Sequence, residues 1–177
     1  MADLILHHYP ESPYAEKVRR ILGFKRLAWK SVIIPMIMPK PDLTALTGGY
    51  RKTPVLQIGA DVYCDTDLIA RTLERLRPEP TLFPAGTEGL AYMVGPWQQE
   101  LFLLAVHLWG SATGFPEGFL QDRATMFEGG IDVARVVREL PAKRDQLRAK
   151  LDLVERLLGD GRPFLLGERA SLVDFCL

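Results

Sequence analysis

The chain has 177 residues, 47% of them hydrophobic and 25% charged, enough for one large or two small domains with a proper core and typical of a soluble globular protein. Its 22 basic side chains are balanced by 22 acidic ones, so no overall field draws polyanions, which argues against nucleic acid as the main partner. The two cysteines, Cys64 and Cys176, form no CxxC pair, no metal-spaced cluster and no disulfide framework, which fits a reducing compartment.

The opening "MADLILHHYP" has an apolar run of only three residues, too short for a signal core. No stretch approaches the roughly 20 apolar residues of a membrane helix. A cytoplasmic protein without a membrane partner is expected. "DLILHHY" reads as a short buried strand. Glu11, Ser12 and Pro13 follow, then a helix whose Ala15, Val18, Ile21 and Leu22 share one face and which Gly23 would stop. "LAWKSVIIP" reads as a second strand, parallel to the first through a right-handed crossover. "MIMPKPDLTALTGGYRK", with two prolines and two glycines, is expected to be mostly loop with one helical turn at most. "TPVLQIGADVYCDT" predicts strand, turn, strand, and a helix over 67–77 places Leu68, Ile69, Leu73 and Leu76 on one face.

The expected order is therefore β-α-β-loop-β-β-α over residues 1–78. "RPEPTLFPAG" carries three prolines in ten residues and reads as a linker, 79–88. Residues 89–177 look helical. "GLAYMVGPWQQELFLLAVHLWG" predicts a long apolar helix kinked at Pro96, and the stretch after it, rich in glycine, is ambiguous. "PAKRDQLRAKLDLVERLLGDG" is the cleanest helical pattern, with Pro141 in its first turn and Leu147, Leu151, Val154 and Leu158 as its apolar stripe. Near the end Ser171 and Asp174 form an S-x-x-D capping box that announces a helix only three residues before Leu177, so the second domain is expected to be incomplete.

Three short segments carry the possible chemistry. Ser12 before Pro13 is either a plain helix cap or a hydroxyl beside a bound thiolate. Lowering a thiol pKa by two units takes about 2.7 kcal/mol. A helix terminus supplies about 0.3–1 kcal/mol, and a hydrogen bond to a charged group adds about 1.5–3 kcal/mol. The helix alone falls short; the helix with a serine hydroxyl does not. Thr53-Pro54 either opens a strand with a trans proline or turns the Thr53 backbone outward through a cis one, free to pair with a peptide-like ligand. Asp65-Thr66 either caps the next helix or offers a carboxylate, a hydroxyl and free N–H groups to an amino-acid head group. Lys52 is either solvated surface or a partner for a second carboxylate. His7 and His8 point to opposite faces of a strand, so a shared metal site is not expected, and His107 reads as a packed histidine. Tyr14, Tyr92, Trp97 and Trp109 read first as core aromatics, with the lining of a ligand pocket as the alternative.

Taken together, these motifs resemble the glutathione transferase family, its serine-type or omega-like members. "SPYAEKVR" looks like the family's motif at the first helix, "KTPVL" like its cis-proline strand entry, "CDTDLIARTLE" like its glutamate-serine turn, and "PFLLGERASLVDF" like the extended segment and capping box of its second domain. The resemblance spans almost the whole chain. It implies α/β plus all-α architecture: a thioredoxin-like glutathione-binding domain over 1–78 and an all-helical domain over 89–177. It implies a transferase that conjugates the glutathione thiolate to an electrophilic small molecule, with glutathione as co-substrate, no permanent cofactor and no metal, working as a homodimer in detoxification. In that reading Ser12 stabilises the thiolate, with Tyr9 as its rival, and Thr53 and Pro54 meet the cysteinyl backbone. Asp65 and Thr66 hold the γ-glutamyl end, and Lys52 reaches the glycine carboxylate. Thr53 stands where valine is more usual, and Asp65 is one methylene shorter than glutamate. The alternatives are a non-catalytic binding or assembly module of the same fold, or another glutathione-dependent enzyme such as an isomerase or dehalogenase.

Overall fold

The structure, a computed structural model, describes residues 2–176. The chain divides into two compact units, Met1–Leu82 and Phe83–Leu177.

The first unit is built on a four-stranded sheet in the order β2-β1-β3-β4, with β1 Leu4–His8, β2 Lys30–Ile33, β3 Val55–Ile58 and β4 Asp61–Cys64. β1 pairs parallel to β2 and antiparallel to β3, and β3 pairs antiparallel to β4 across the Gly59–Ala60 turn. Three helices accompany it: α1 Pro13–Phe24, α2 Pro41–Thr47 and α3 Thr66–Leu76. The expected apolar face of α1 is fully enclosed at Ala15, Val18, Ile21 and Leu22. Gly23 does not end α1. The helix runs on to Phe24 and closes where Arg26 takes φ 53°, the left-handed position usually left to glycine, with Leu27 N–H returning to the Leu22 carbonyl.

Two further expectations for this unit are corrected. The stretch read as mostly loop holds the seven-residue α2, ended by Gly48 at φ 65° with Gly49 N–H on the Thr44 carbonyl. Its start has no side-chain cap, so the usual sign of a helix N-terminus was missing. In α3, Leu68 faces solvent at 44% exposure; Ile69, Ala70, Thr72 and Leu73 form the buried face. The polar Thr72 can stand there because its hydroxyl donates to the Leu68 carbonyl at 2.9 Å.

Lys25 is fully buried, and each of its three N–H donors is used: on Glu74 Oε2 at 2.6 Å, the Arg77 carbonyl at 2.7 Å and the Pro80 carbonyl at 3.0 Å. Glu74 also accepts from Thr81 Oγ1 at 2.6 Å and from Leu82 N–H at 3.0 Å. The proline-rich segment after α3 is thus tied to the first unit, and its only helical piece is a 3₁₀ turn at Pro84–Gly86.

In the second unit α4 Glu88–Thr113 runs 26 residues with Pro96 inside it, followed by α5 Phe119–Ala124, α6 Val133–Arg138 and α7 Leu140–Leu158. The ambiguous stretch, 110–132, therefore holds α5, and α6 follows directly after it; each is too short to show a periodic pattern. Gly110 is needed in α4, since a Cβ there would lie 2.0 Å from the Phe115 ring. α7 begins and ends as expected, with Pro141 in its first turn and Gly159 as its cap. Its stripe is corrected: Leu151 is 46% exposed, and the partly covered line is Lys143, Leu147, Lys150, Val154 and Leu158. Lys150 belongs to it because its stem lies along the helix while Nζ sits 4.9 Å from the Trp97 ring centroid and 2.8 Å from Glu100. The capping box is formed: Asp174 accepts from the Ser171 N–H and hydroxyl at 2.8 and 2.9 Å, and opens a 3₁₀ turn at Leu172–Phe175. Gln98, buried in α4, donates to the Val173 carbonyl at 2.8 Å.

Among the described residues no helix is long and apolar enough to cross a membrane, and no group of three or more His, Cys, Asp or Glu is placed to hold a metal ion.

Candidate functional site

The strand register gathers the three segments. His8, the last residue of β1, pairs with Ile33, and its neighbour His7 pairs with Val55, the first residue of β3. Val55 in turn pairs with Cys64, the last residue of β4. The loop Tyr9–Ser12, the entry Thr53-Pro54 and the turn Asp65-Thr66 therefore leave the sheet at the same end. Tyr9–Ser12, more than 40 residues from the other two segments, becomes their neighbour because the central strand runs antiparallel to β3.

Ser12 is the N-cap of α1, with extended backbone angles and Oγ accepting from Ala15 N–H at 3.2 Å. This uses the hydroxyl as an acceptor and leaves its O–H as a donor. Ser12 is only 2% exposed. Its own N–H donates to the Tyr9 carbonyl at 3.2 Å, closing a turn with Pro10 in second place. Tyr9 packs against the cluster of Ile34, Leu43 and Val55, as do Tyr50, Val62 and Cys64.

The Thr53-Pro54 bond is cis, the second of the two forms left open. Thr53 Oγ1 accepts from Lys40 Nζ at 3.2 Å, and Lys52 is exposed. Lys40 is the residue that the sequence reading missed. It is 2% exposed, donates also to the Arg51 carbonyl at 3.2 Å, and stands 5.6 Å from the centroid of the Tyr9 ring. It thereby joins Tyr9 to Thr53. Its place between Pro39 and Pro41 is the one local sign, and it does not name the partners.

Asp65 caps α3, accepting from Asp67 N–H at 2.8 Å, with Leu68 N–H at a longer 3.4 Å. Its backbone stands at φ 80°, ψ 133°, a region all but reserved for glycine. Thr66 is the first residue of the helix. The negative charge of Asp65 is felt by its neighbours. Burial pushes the Tyr50 hydroxyl and the Cys64 thiol up from their ordinary values, and Asp65 adds to both shifts. Both causes disfavour the Cys64 thiolate. Lys17 of α1 meets Asp67 of α3 at 2.9 Å, holding the two helix starts together.

His7 and His8 are occupied structurally, whereas His107 Nδ1 is buried without a hydrogen-bond partner. His7 Nε2 lies 3.0 Å from Gln57 Oε1. His8 stands edge-on to Trp29, and burial first, then Arg19, lowers its pKa. His107 is lowered by burial, then by Lys143. Of the four core aromatics expected, Tyr92 stands against Phe83 and Trp97 against Lys150, whereas Tyr14 and Trp109 are exposed.

A mixed sheet with a proline-entered third strand, carrying two long helix starts at one end and followed by a helical unit, defines the thioredoxin-like plus all-helical class. Residues 6–81 match the family model of the glutathione S-transferase N-terminal domain and residues 135–177 that of the C-terminal domain. A GST-like protein from Pseudomonas syringae is 44% identical, with a TM-score of 0.68, over 99% of this chain and 56% of that one. The theta class glutathione S-transferase of Xanthomonas axonopodis pv. citri, solved with glutathione bound, is 21% identical, with a TM-score of 0.70, over 99% of this chain and 79% of that one. A glutathione S-transferase of Methylobacterium radiotolerans, in complex with glutathione sulfonate, is 24% identical, with a TM-score of 0.65, over 98% and 75%. No curated protein matches. The chain belongs to the glutathione S-transferase family, and spans about 56% of the length of its Pseudomonas relative.

Proposed function

We propose that this chain binds glutathione at the end of the sheet where Tyr9–Ser12, Thr53-Pro54 and Asp65-Thr66 meet, and conjugates its thiolate to an electrophilic small molecule. That meeting of three distant segments is the observation that carries the reading. In it the Ser12 O–H donates to the sulfur anion at the N-terminus of α1, with Tyr9 as the rival donor. The Thr53 backbone beside Pro54 pairs with the cysteinyl unit. Asp65 takes the γ-glutamyl ammonium, and Thr66 with the first N–H groups of α3 takes its carboxylate. Lys52, joined by Lys40, faces the glycine carboxylate. A cytoplasmic homodimer acting in detoxification completes the proposal. The glutathione held by the Xanthomonas neighbour and the glutathione sulfonate held by the Methylobacterium one support the ligand class.

The test is a calorimetric titration with glutathione of the wild type beside Ser12→Ala, followed by conjugation assays. Glutathione affinity is expected to stay within about threefold, while kcat falls about ten- to hundredfold, the worth of one hydrogen bond to a charged group. Undiminished turnover in Ser12→Ala would remove Ser12 from the mechanism.

One observation favours a second reading, a glutathione-binding or assembly module without turnover: Ser12 is nearly enclosed, and its Oγ already serves Ala15. Binding of glutathione without conjugation of any electrophile in a broad panel, by wild type, would select it.

A further inference from the structure

Ser12 is not held by its cap alone. Its N–H donates to the carbonyl of Tyr9, and that same oxygen receives the Arg19 guanidinium, with Nη1 at 3.4 Å. Nη2 of Arg19 donates to the Pro10 carbonyl at 2.9 Å. One planar group, standing almost two turns into α1, thus grips two successive carbonyls of the turn that presents Ser12.

The guanidinium is itself fixed from two other sides. Glu16, one turn before it on α1, accepts from Nε at 2.8 Å and from Nη2 at 2.7 Å; its other oxygen holds Arg20 Nε at 2.8 Å. From β1, His8 Nδ1 lies 2.9 Å from Nη1. Arginine has no acceptor, so it must donate there, and His8 Nδ1 is the unprotonated nitrogen. The ring proton then sits on Nε2 and donates to Ser31 Oγ of β2 at 2.8 Å. Every bond of this clamp is directional, and the groups that fix it, Glu16, His8 and Ser31, stand on regular elements of the first unit. A lysine at the same place keeps the charge but not the fork, since an ammonium on a flexible stem cannot span two carbonyls, a carboxylate and an imidazole in one plane.

We propose that Arg19 is a positioning residue for the thiol chemistry of this site: by gripping the Tyr9 and Pro10 carbonyls it sets where the Ser12 hydroxyl stands over the start of α1, and so how far the bound thiol is acidified. The inference rests on the glutathione reading above. Arg19 reaches the sulfur only through the turn, by geometry and not by charge.

The experiment separates these. The thiolate of bound glutathione absorbs in the ultraviolet where the thiol does not, so its pKa is read by a spectroscopic titration of the complex. Affinity is read in parallel with S-methylglutathione, which has no ionisable thiol. In wild type the thiol is expected well below its free value. In Arg19→Gln it returns by at least about one unit, a tenfold change in the ionisation constant, while S-methylglutathione binds within about threefold. Arg19→Lys is expected to behave as Arg19→Gln does despite its charge, and it carries the test alone if the glutamine variant does not fold. A wild-type thiol pKa in Arg19→Lys overturns the clamp, because charge would then suffice. A wild-type value in Arg19→Gln overturns any role for Arg19 and leaves the proposed function standing. A wild type that binds S-methylglutathione but leaves the glutathione thiol at its free value overturns the clamp and the conjugating reading, and leaves binding. No binding of either ligand by wild type overturns the function and the inference together.

Discussion

In Met1–Leu82 the side chains of Leu6, Val18, Ile21, Leu22, Leu56, Ile69 and Leu73 are wholly enclosed, and even the charge of Lys25 is enclosed and matched donor by acceptor. In Phe83–Leu177 the helices α5, α6 and α7 enclose no residue, and Leu151, Leu153 and Leu157 face outward from α7. The difference follows from architecture. A sheet with helices laid against it covers each inward side chain from several directions. A helix set against one long neighbour covers a single narrow stripe, and α7 fills part of that stripe with lysine stems. Hydrophobic spacing therefore tells which face of an element is apolar, and only packing tells whether that face is shut.

The sharpest way to break this contrast is a matched pair of truncations. Leu6→Ala, in the centre of the sheet, is expected to cost about 3–4 kcal/mol. Leu151→Ala should stay within about 0.5 kcal/mol. Urea unfolding of both variants measures this, and equal losses would erase the distinction between the units. Next in size is Lys25→Met, which strands the Glu74 carboxylate and two carbonyls; about 3 kcal/mol is expected from the breaking of a buried pair. A loss under about 1 kcal/mol in the same assay would show that solvent already shares the Glu74 charge. The smallest effect is on pH and falls on both units alike. His8 and His107 both have pKa values lowered from 6.5 in the folded state. As pH falls, the unfolded chain takes up these protons first. Stability is therefore full above about pH 6.5, declines below it, and levels once the folded imidazoles protonate too. Thermal melts stepped from about pH 8 down to about pH 5, above the main carboxylate range, read the slope. A rise in stability on acidification would contradict both assignments.

Much of the first unit was legible because its signals are local. Ser-Pro before an amphipathic run, alternating residues around Gly-Ala-Asp, and Asp-Thr before "DLIARTLE" each fix one element within a few residues. α2 was legible only as a single helical turn because Lys40 offers no capping side chain, and α6 was missed because six residues do not make a period. The site was legible as three separate caps and entries, and the resemblance supplied their union before the register supplied its geometry. Lys40 and Arg19 were not legible. Each acts through a carbonyl or hydroxyl brought to it by the fold, Lys40 at 11 and 13 residues' remove and Arg19 at nine and ten, and nothing in the spelling of either segment marks the partner.

Asp65 carries a consequence of its own. A side chain at φ 80°, ψ 133° costs about 1–3 kcal/mol relative to a residue at ease there, and glycine at an N-cap gives up only a few tenths. Judged by folding alone, the turn between β4 and α3 would be better served by glycine. The carboxylate is kept against the preference of its own backbone; in the proposed function its hold on the γ-glutamyl ammonium is what offsets that cost.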